Sequence, residues 1–178
     1  MATANLLPDS TVSNDWTVSS GTAHAVLADT TESTNIQTNA QNKVCIVGLS
    51  NFTESFGSID TIRYYVSAVM YRSRADDSDL QIKIENAAGA ALTTETENIV
   101  VNGGAYADYY GPFIAGVGAA AWKADDSGDS NDLNGLRLQL NTNLEDPPNI
   151  SFVRITRAYI EVTYTPAADN ATFFGANF

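Results

Sequence analysis

The sequence predicts an all-β fold, an antiparallel β-sandwich of jelly-roll type with about eight or nine strands and extended N- and C-terminal arms. Three observations predict it. Apolar residues recur with period two over long runs, as in half-buried strands. Clusters of Asp, Asn, Ser, Gly and Pro punctuate those runs as turns. The connections between the runs are long, which favours a jelly roll over an up-and-down barrel.

Taken in order, residues 1–15 read as an N-terminal arm: Leu6, Leu7 and Pro8 interrupt a polar run, and Asn14-Asp15 marks a turn before Trp16. Trp16 and Val18, then Ala23, Ala25 and Leu27, suggest a hairpin around Ser20-Gly21. A short strand is expected near Ile36, and a β-branched one over 43–49, buried on both faces. The strongest signal is IDTIRYYVSAVMYRSRADDSDLQIKIE, residues 59–85. Ile62, Tyr64, Val66, Ala68 and Met70 share one face, opposite Arg63, Tyr65, Ser67, Val69 and Tyr71. Asp76, Asp77, Ser78 and Asp79 break the pattern before Leu80, Ile82 and Ile84 resume it. The run reads as a central hairpin, two long strands joined by an acidic turn.

Beyond a turn at 86–89, a strand is expected near 98–101, followed by an aromatic cluster of Tyr106, Tyr109, Tyr110 and Phe113. Pro112 marks that cluster as a sheet edge or bulge. Residues 116–121 admit a short helix weakened by two glycines, with Trp122 as an anchor to the core. Leu136, Leu138 and Leu140 alternate as another strand. The last strand, 150–164, changes parity: Val153 and Ile155 lie on one face, and Ala158, Ile160, Val162 and Tyr164 on the other. A switch near Thr156-Arg157 implies a β-bulge or a change of neighbour. Pro166 ends the strand, and 166–178 reads as a C-terminal arm carrying Phe173, Phe174 and Phe178. The organisation expected is thus an arm over 1–15, a sandwich over 16–165 and an arm over 166–178.

Composition bounds the function. At 178 residues with 44% apolar residues, the chain suffices for one full core. Only 17% of residues are charged, which suits a surface partly covered by neighbours. Twenty-one acidic residues against nine basic ones give a formal charge of −12, which disfavours nucleic acid and anionic membranes as partners. The one cysteine, Cys45, sits in the apolar run VCIVGL and reads as a buried hydrophobe; the one histidine, His24, has nothing to recommend it as a partner for a nucleophile. No secretory signal opens the chain, and no apolar run reaches the roughly 20 residues of a membrane helix. There is no P-loop, GxSxG, HExxH or CxxC motif, so neither catalytic residues, a cofactor nor a metal is expected.

Four features invite a binding role. Tyr106, Tyr109 and Tyr110 form a candidate platform for stacking on sugars, with buried or interfacial packing as the plainer reading. The acidic loops, Asp76/Asp77/Asp79 and Asp125/Asp126/Asp129/Asp132, are candidate calcium sites, the second the better for its length and for Gly128; they lack EF-hand spacing, and solvated turns are the plainer reading. Basic residues lie in or beside strands (Arg63, Arg72, Arg74, Lys83, Arg137, Arg154, Arg157) while acids concentrate in loops. This distribution admits cross-strand ion pairs or a sheet face that docks on an acidic partner. Apolar residues in the arms, Leu6, Leu7, Phe173, Phe174 and Phe178, are the candidate partner contacts.

LLPDSTVSNDW near the start, GAAAWKADD and NDLNGLRLQL further on, and VRITRAYIEVTYTP near the end resemble jelly-roll proteins of tailed-bacteriophage virions: head decoration (cement) proteins and modules of fibres and tails. The resemblance implies a structural virion protein with no catalytic residues. Within that family, the negative charge suits the capsid exterior rather than packaged DNA. A decoration protein there would bind the major capsid protein and other copies of itself, closing an oligomer such as a trimer. The alternative is a receptor- or glycan-binding module of a fibre or tail.

Overall fold

The structure is a computed structural model describing residues 1–31, 33–72, 79–92, 97–99, 105–117, 120–143 and 150–168. Its first fourteen residues correct the expectation of an N-terminal arm. They form strands β1 (Ala2–Leu6) and β2 (Pro8–Asn14), which join different sheets. The Ser, Thr and Asp of this segment made it read as an arm. A sheet edge tolerates such residues because one side of the strand faces water. Leu6, expected to contact a partner, is 2% exposed within the core, and Leu7 is half-buried, its backbone bonded to Ser50.

Next come β3 (Thr17–Val18) and helix α1 (Ala23–Ala28), which replaces the expected second half of a hairpin. Six residues, small or apolar apart from His24, fit either period. The buried set is Ala23, Val26 and Leu27, spaced three and four apart as on one face of a helix. Asn14 braces Trp16, and the Trp16 indole N–H donates to the Lys43 carbonyl at 2.9 Å. Then follow β4 (Ile36–Thr38), β5 (Val44–Leu49), β6 (Phe56–Arg72), β7 (Asp79–Glu85), β8 (Glu97–Ile99), β9 (Ala107–Tyr110), the short pair β10 (Gly116–Val117) and β11 (Ala120–Ala121), β12 (Arg137–Asn143) and β13 (Ile150–Pro166). The β10–β11 pair stands where a short helix was admitted, since glycine disfavours helix and lets backbones approach closely.

A front sheet runs β3-β4-β13-β6-β9, with β1 also on β13; a back sheet runs β2-β5-β12-β7-β8. Counting β4 to β9, β12 and β13 as eight successive strands, the front order is first, eighth, third, sixth and the back order is second, seventh, fourth, fifth. That is jelly-roll connectivity, and the molecule is an antiparallel β-sandwich. Residues 59–85 therefore do not form a hairpin. β6 belongs to the front sheet and pairs with β13 and β9; β7 belongs to the back sheet and pairs with β12 and β8. Period two identifies a strand and its buried face, not its partner. The acidic turn between them, including Asp76 and Asp77, lies outside the described residues.

The core lies between the sheets. β6 contributes Ile62, Tyr64, Val66, Ala68 and Met70, and β13 contributes Val153, Ile155, Ala158, Ile160 and Val162. Facing them are Cys45, Val47, Ile82, Ile84, Leu138 and Leu140 of the back sheet. Each fully buried Leu or Ile contributes about 1.5–3 kcal/mol of transfer free energy. The parity change in β13 is a bulge: pairing with β6 slips between Ile155 and Arg157, leaving Thr156 as the extra residue. Thr156 is buried and its hydroxyl points at the Ser67 carbonyl at 3.5 Å. At the end of the strand, Pro166 pairs with Phe56; Phe173, Phe174 and Phe178 lie outside the described residues.

Candidate binding face

Alternation decides which side chains leave the core. With Ile62, Tyr64 and Val66 inward, β6 presents Arg63, Tyr65, Ser67 and Val69 on its outer face. The bulge lets β13 keep its inner face apolar, and it presents Phe152 and Arg154 outward, then Arg157, Tyr159 and Glu161. On β9, Tyr109 pairs with Val66 and packs against the core, whereas Tyr110 pairs with Tyr65 and faces out. This divides the tyrosines expected as a platform. Tyr110 stands on the outer face, Tyr109 serves the core side, and Tyr106 is half-buried just ahead of β9. Neighbouring residues of a strand point to opposite faces, so adjacent tyrosines cannot share one.

The outer face of the front sheet has a buried aromatic foundation. Tyr65 and Tyr159 stack with ring centroids 4.4 Å apart at 21°, and Tyr110 meets Tyr65 edge-on at 5.1 Å. Tyr65 and Tyr159 are buried yet outside the main core. Burial pushes both phenols above their ordinary pKa, and for Tyr65 a 2.6 Å hydrogen bond to Asp108 adds to it. Tyr65 thus keeps its proton and donates it. Two rings on this side reach solvent, Tyr110 at 50% exposure and Phe113 at 60%. The Arg63 guanidinium lies 4.4 Å from the Tyr110 centroid and 4.6 Å from that of Phe113, joining the two rings. Its Nε donates to Glu161 at 2.7 Å.

Towards the other edge the face continues through Arg154, whose guanidinium covers the Phe152 ring at 3.9 Å and whose Nε donates to Gln37 at 2.8 Å. Beside it is a shallow recess of about 160 Å³ lined by Thr17, Gln37, Thr38, Asn39 and Phe152. Five strands at about 4.8 Å spacing give this face a width of roughly 19 Å.

Solved structures similar to this fold at low sequence identity include the following three. The enzymatically active domain of tailspike protein 4 from bacteriophage CBA120 matches with a TM-score of 0.43 and 10% identity, over 91% of this chain and 19% of that one. The CBM22-1 xylan-binding domain of Xyn10C from Paenibacillus barcinonensis matches at 0.41 and 11%, over 94% of this chain and 95% of that one. An exo-β-agarase matches at 0.44 and 16%, over 94% of this chain and 26% of that one. The chain thus spans only a minor part of the tailspike and agarase chains. No protein-family model matches the chain, and no curated protein matches it.

The carboxylates of the loop 125–132 are held within it. Lys123 Nζ bridges Asp125 at 3.1 Å and Asp129 at 2.5 Å, while buried Asp132 accepts backbone N–H groups of Gly128 and Asn134 at 2.9 and 3.0 Å. Among the described residues no group of three or more His, Cys, Asp or Glu side chains is placed to hold a metal ion. Cys45 is fully buried, and burial pushes its thiol up to about 12, far from a nucleophilic thiolate. His24 is hydrogen-bonded to Thr11 and Thr22 instead.

Of this face, the sequence pointed to Tyr110 and to the strand-borne arginines. Reasoning from sequence missed Tyr65, Tyr159 and Phe113 as one surface, because they come from segments far apart in the chain. The signal available was the outward parity of β6 and β13, which carries Arg-Tyr at 63/65 and again at 157/159.

Proposed function

We propose that this chain is a glycan-binding module, and that the outer face of the front sheet is its contact surface. One observation carries the reading: exposed Tyr110 and Phe113 are joined by Arg63, and Tyr110 meets the buried Tyr65–Tyr159 stack edge-on. The C–H faces of a sugar ring pack on aromatic rings, and its hydroxyls bond to charged groups beside them. The arrangement is preorganised, so little side-chain entropy is lost on binding.

The reading is of binding rather than catalysis. The carboxylates at the face are already engaged, Asp108 by the Tyr65 hydroxyl and Glu161 by Arg63. The setting proposed is a fibre or tail of a virion, as the sequence resemblance implies. A capsid-exterior role, argued from the negative charge with the arms as partner contacts, has less support, because the first of those arms is built into both sheets.

A glycan array tests this. The wild-type protein is expected to bind a defined set of glycans, with affinity reduced about tenfold or more by Tyr110→Ala or Phe113→Ala, as for central aromatic contacts elsewhere. Glycan binding unaffected by both substitutions, or no glycan binding at all, refutes the reading. Cryo-EM of intact particles then separates a fibre or tail position from the capsid surface.

A further inference from the structure

The arginines of the outer face are not equivalent. Arg63 is neutralised by Glu161. Arg157 forms no ion pair among the described residues, and its Nε is sealed from solvent without a hydrogen-bond partner. Its guanidinium is instead laid over aromatic rings, 5.0 Å from the Tyr159 centroid and 5.9 Å from that of Tyr65. The two nearby carboxylates serve other groups, Glu161 bonding Arg63 and Asp108 bonding Tyr65.

The bulge explains how it gets there. Val153 and Ile155 point inward, so an unbroken strand would also point residue 157 inward. The extra residue Thr156 reverses the parity and delivers Arg157 to the outer face. Bulges re-aim side chains in this way beside functional sites. A guanidinium fixed by ring stacking presents its terminal nitrogens as a fork, matched to a planar carboxylate.

We infer that Arg157 is an anion-binding group of this face and that its ligand is the carboxylate of an acidic sugar. The inference rests on the glycan-binding reading and specifies the sugar class. Overall repulsion by the acidic surface opposes non-specific adsorption of such polymers, so a cation without a carboxylate partner at the contact face confers selectivity.

The test uses the full chain with polygalacturonate, alginate, hyaluronate and polysialic acid, each beside its carboxyl-reduced neutral form, with affinities from calorimetry. At least one acidic polymer is expected to bind, and carboxyl reduction should weaken that binding about tenfold or more. Arg157→Gln should weaken binding of the acidic polymer to the level of its neutral form. Equal binding of acidic and neutral forms overturns the inference and leaves the glycan reading standing. So does wild-type affinity of Arg157→Gln for the acidic polymer. Failure of every acidic polymer overturns the inference; the glycan reading falls with it only if the glycan array is blank as well. The comparison of acidic with reduced polymer needs only wild-type protein, so it holds even if the variant does not fold.

Discussion

Cys45, Gly111 and Lys123 show how much the fold asks of single residues. The Cys45 thiol is buried among back-sheet side chains, and its raised pKa means that the folded protein holds it protonated where an unfolded chain would ionise it. The sign follows from linkage: this contribution to stability is complete below pH 9.0, the ordinary value, and is lost as pH rises towards about 12. Native protein should therefore resist iodoacetamide at pH 8 and react fully in denaturant, with mass spectrometry as the readout. Cys45→Val should lose less stability than wild type between pH 8.5 and 10.5. Gly111 donates its N–H to the Tyr64 carbonyl at 3.0 Å, and a Cβ there would run into the Tyr64 ring. Gly111→Ala should destabilise the fold by about 1–3 kcal/mol, the cost of overpacking, measured by denaturant unfolding. Lys123 holds Asp129 and Asp125 below the ordinary carboxylate range, the Ser127 hydrogen bonds being the larger cause for Asp125. Depressed carboxylates stabilise at neutral pH and cease to as pH falls below about 3.8. Lys123→Met should lower Tm at pH 7 and have a smaller effect near pH 2.5; an equal loss at both would mean that packing, not charge, is what Lys123 provides.

Strands are where the sequence was most and least informative. The parity change in β13 was legible, because apolar residues on both sides of Thr156 each keep strict alternation, and only an extra residue reconciles them. Deleting Thr156 should therefore point one half of β13 the wrong way, burying Arg157 or exposing Ile160 and Val162, and should abolish cooperative unfolding. Near-UV circular dichroism and a thermal melt check this, and a native-like melt would refute the assigned role of the bulge. The partners of β6 and β7 were not legible. Alternation is a property of one strand, whereas sheet membership depends on β12 and β13, which come later in the chain. α1 was missed because Ala23, Ala25 and Leu27 imitate a strand over so short a run. β1 and β2 were missed because edge strands carry polar residues that read as an arm.

At the scale of the molecule, a two-sheet sandwich leaves the outer face of each sheet free to be charged, polar or adhesive. Here the front sheet sets Tyr110 and Arg157 against a stacked tyrosine pair and Arg63 against Tyr110 and Phe113, while acids gather in loops such as 125–132. The site is built from the inward–outward alternation that builds the core, so its residues were visible in the sequence one strand at a time. Their convergence was not, because it depends on β6, β9 and β13 lying side by side. The central claim is that this face is where the protein meets its ligand. Amide chemical-shift mapping during titration with a bound oligosaccharide tests it most directly. The account predicts that the largest shifts fall at Tyr110, Phe113, Arg157, Tyr159 and their strand neighbours. Shifts confined to the back sheet or to the β2 edge, with the front sheet unperturbed, would contradict it.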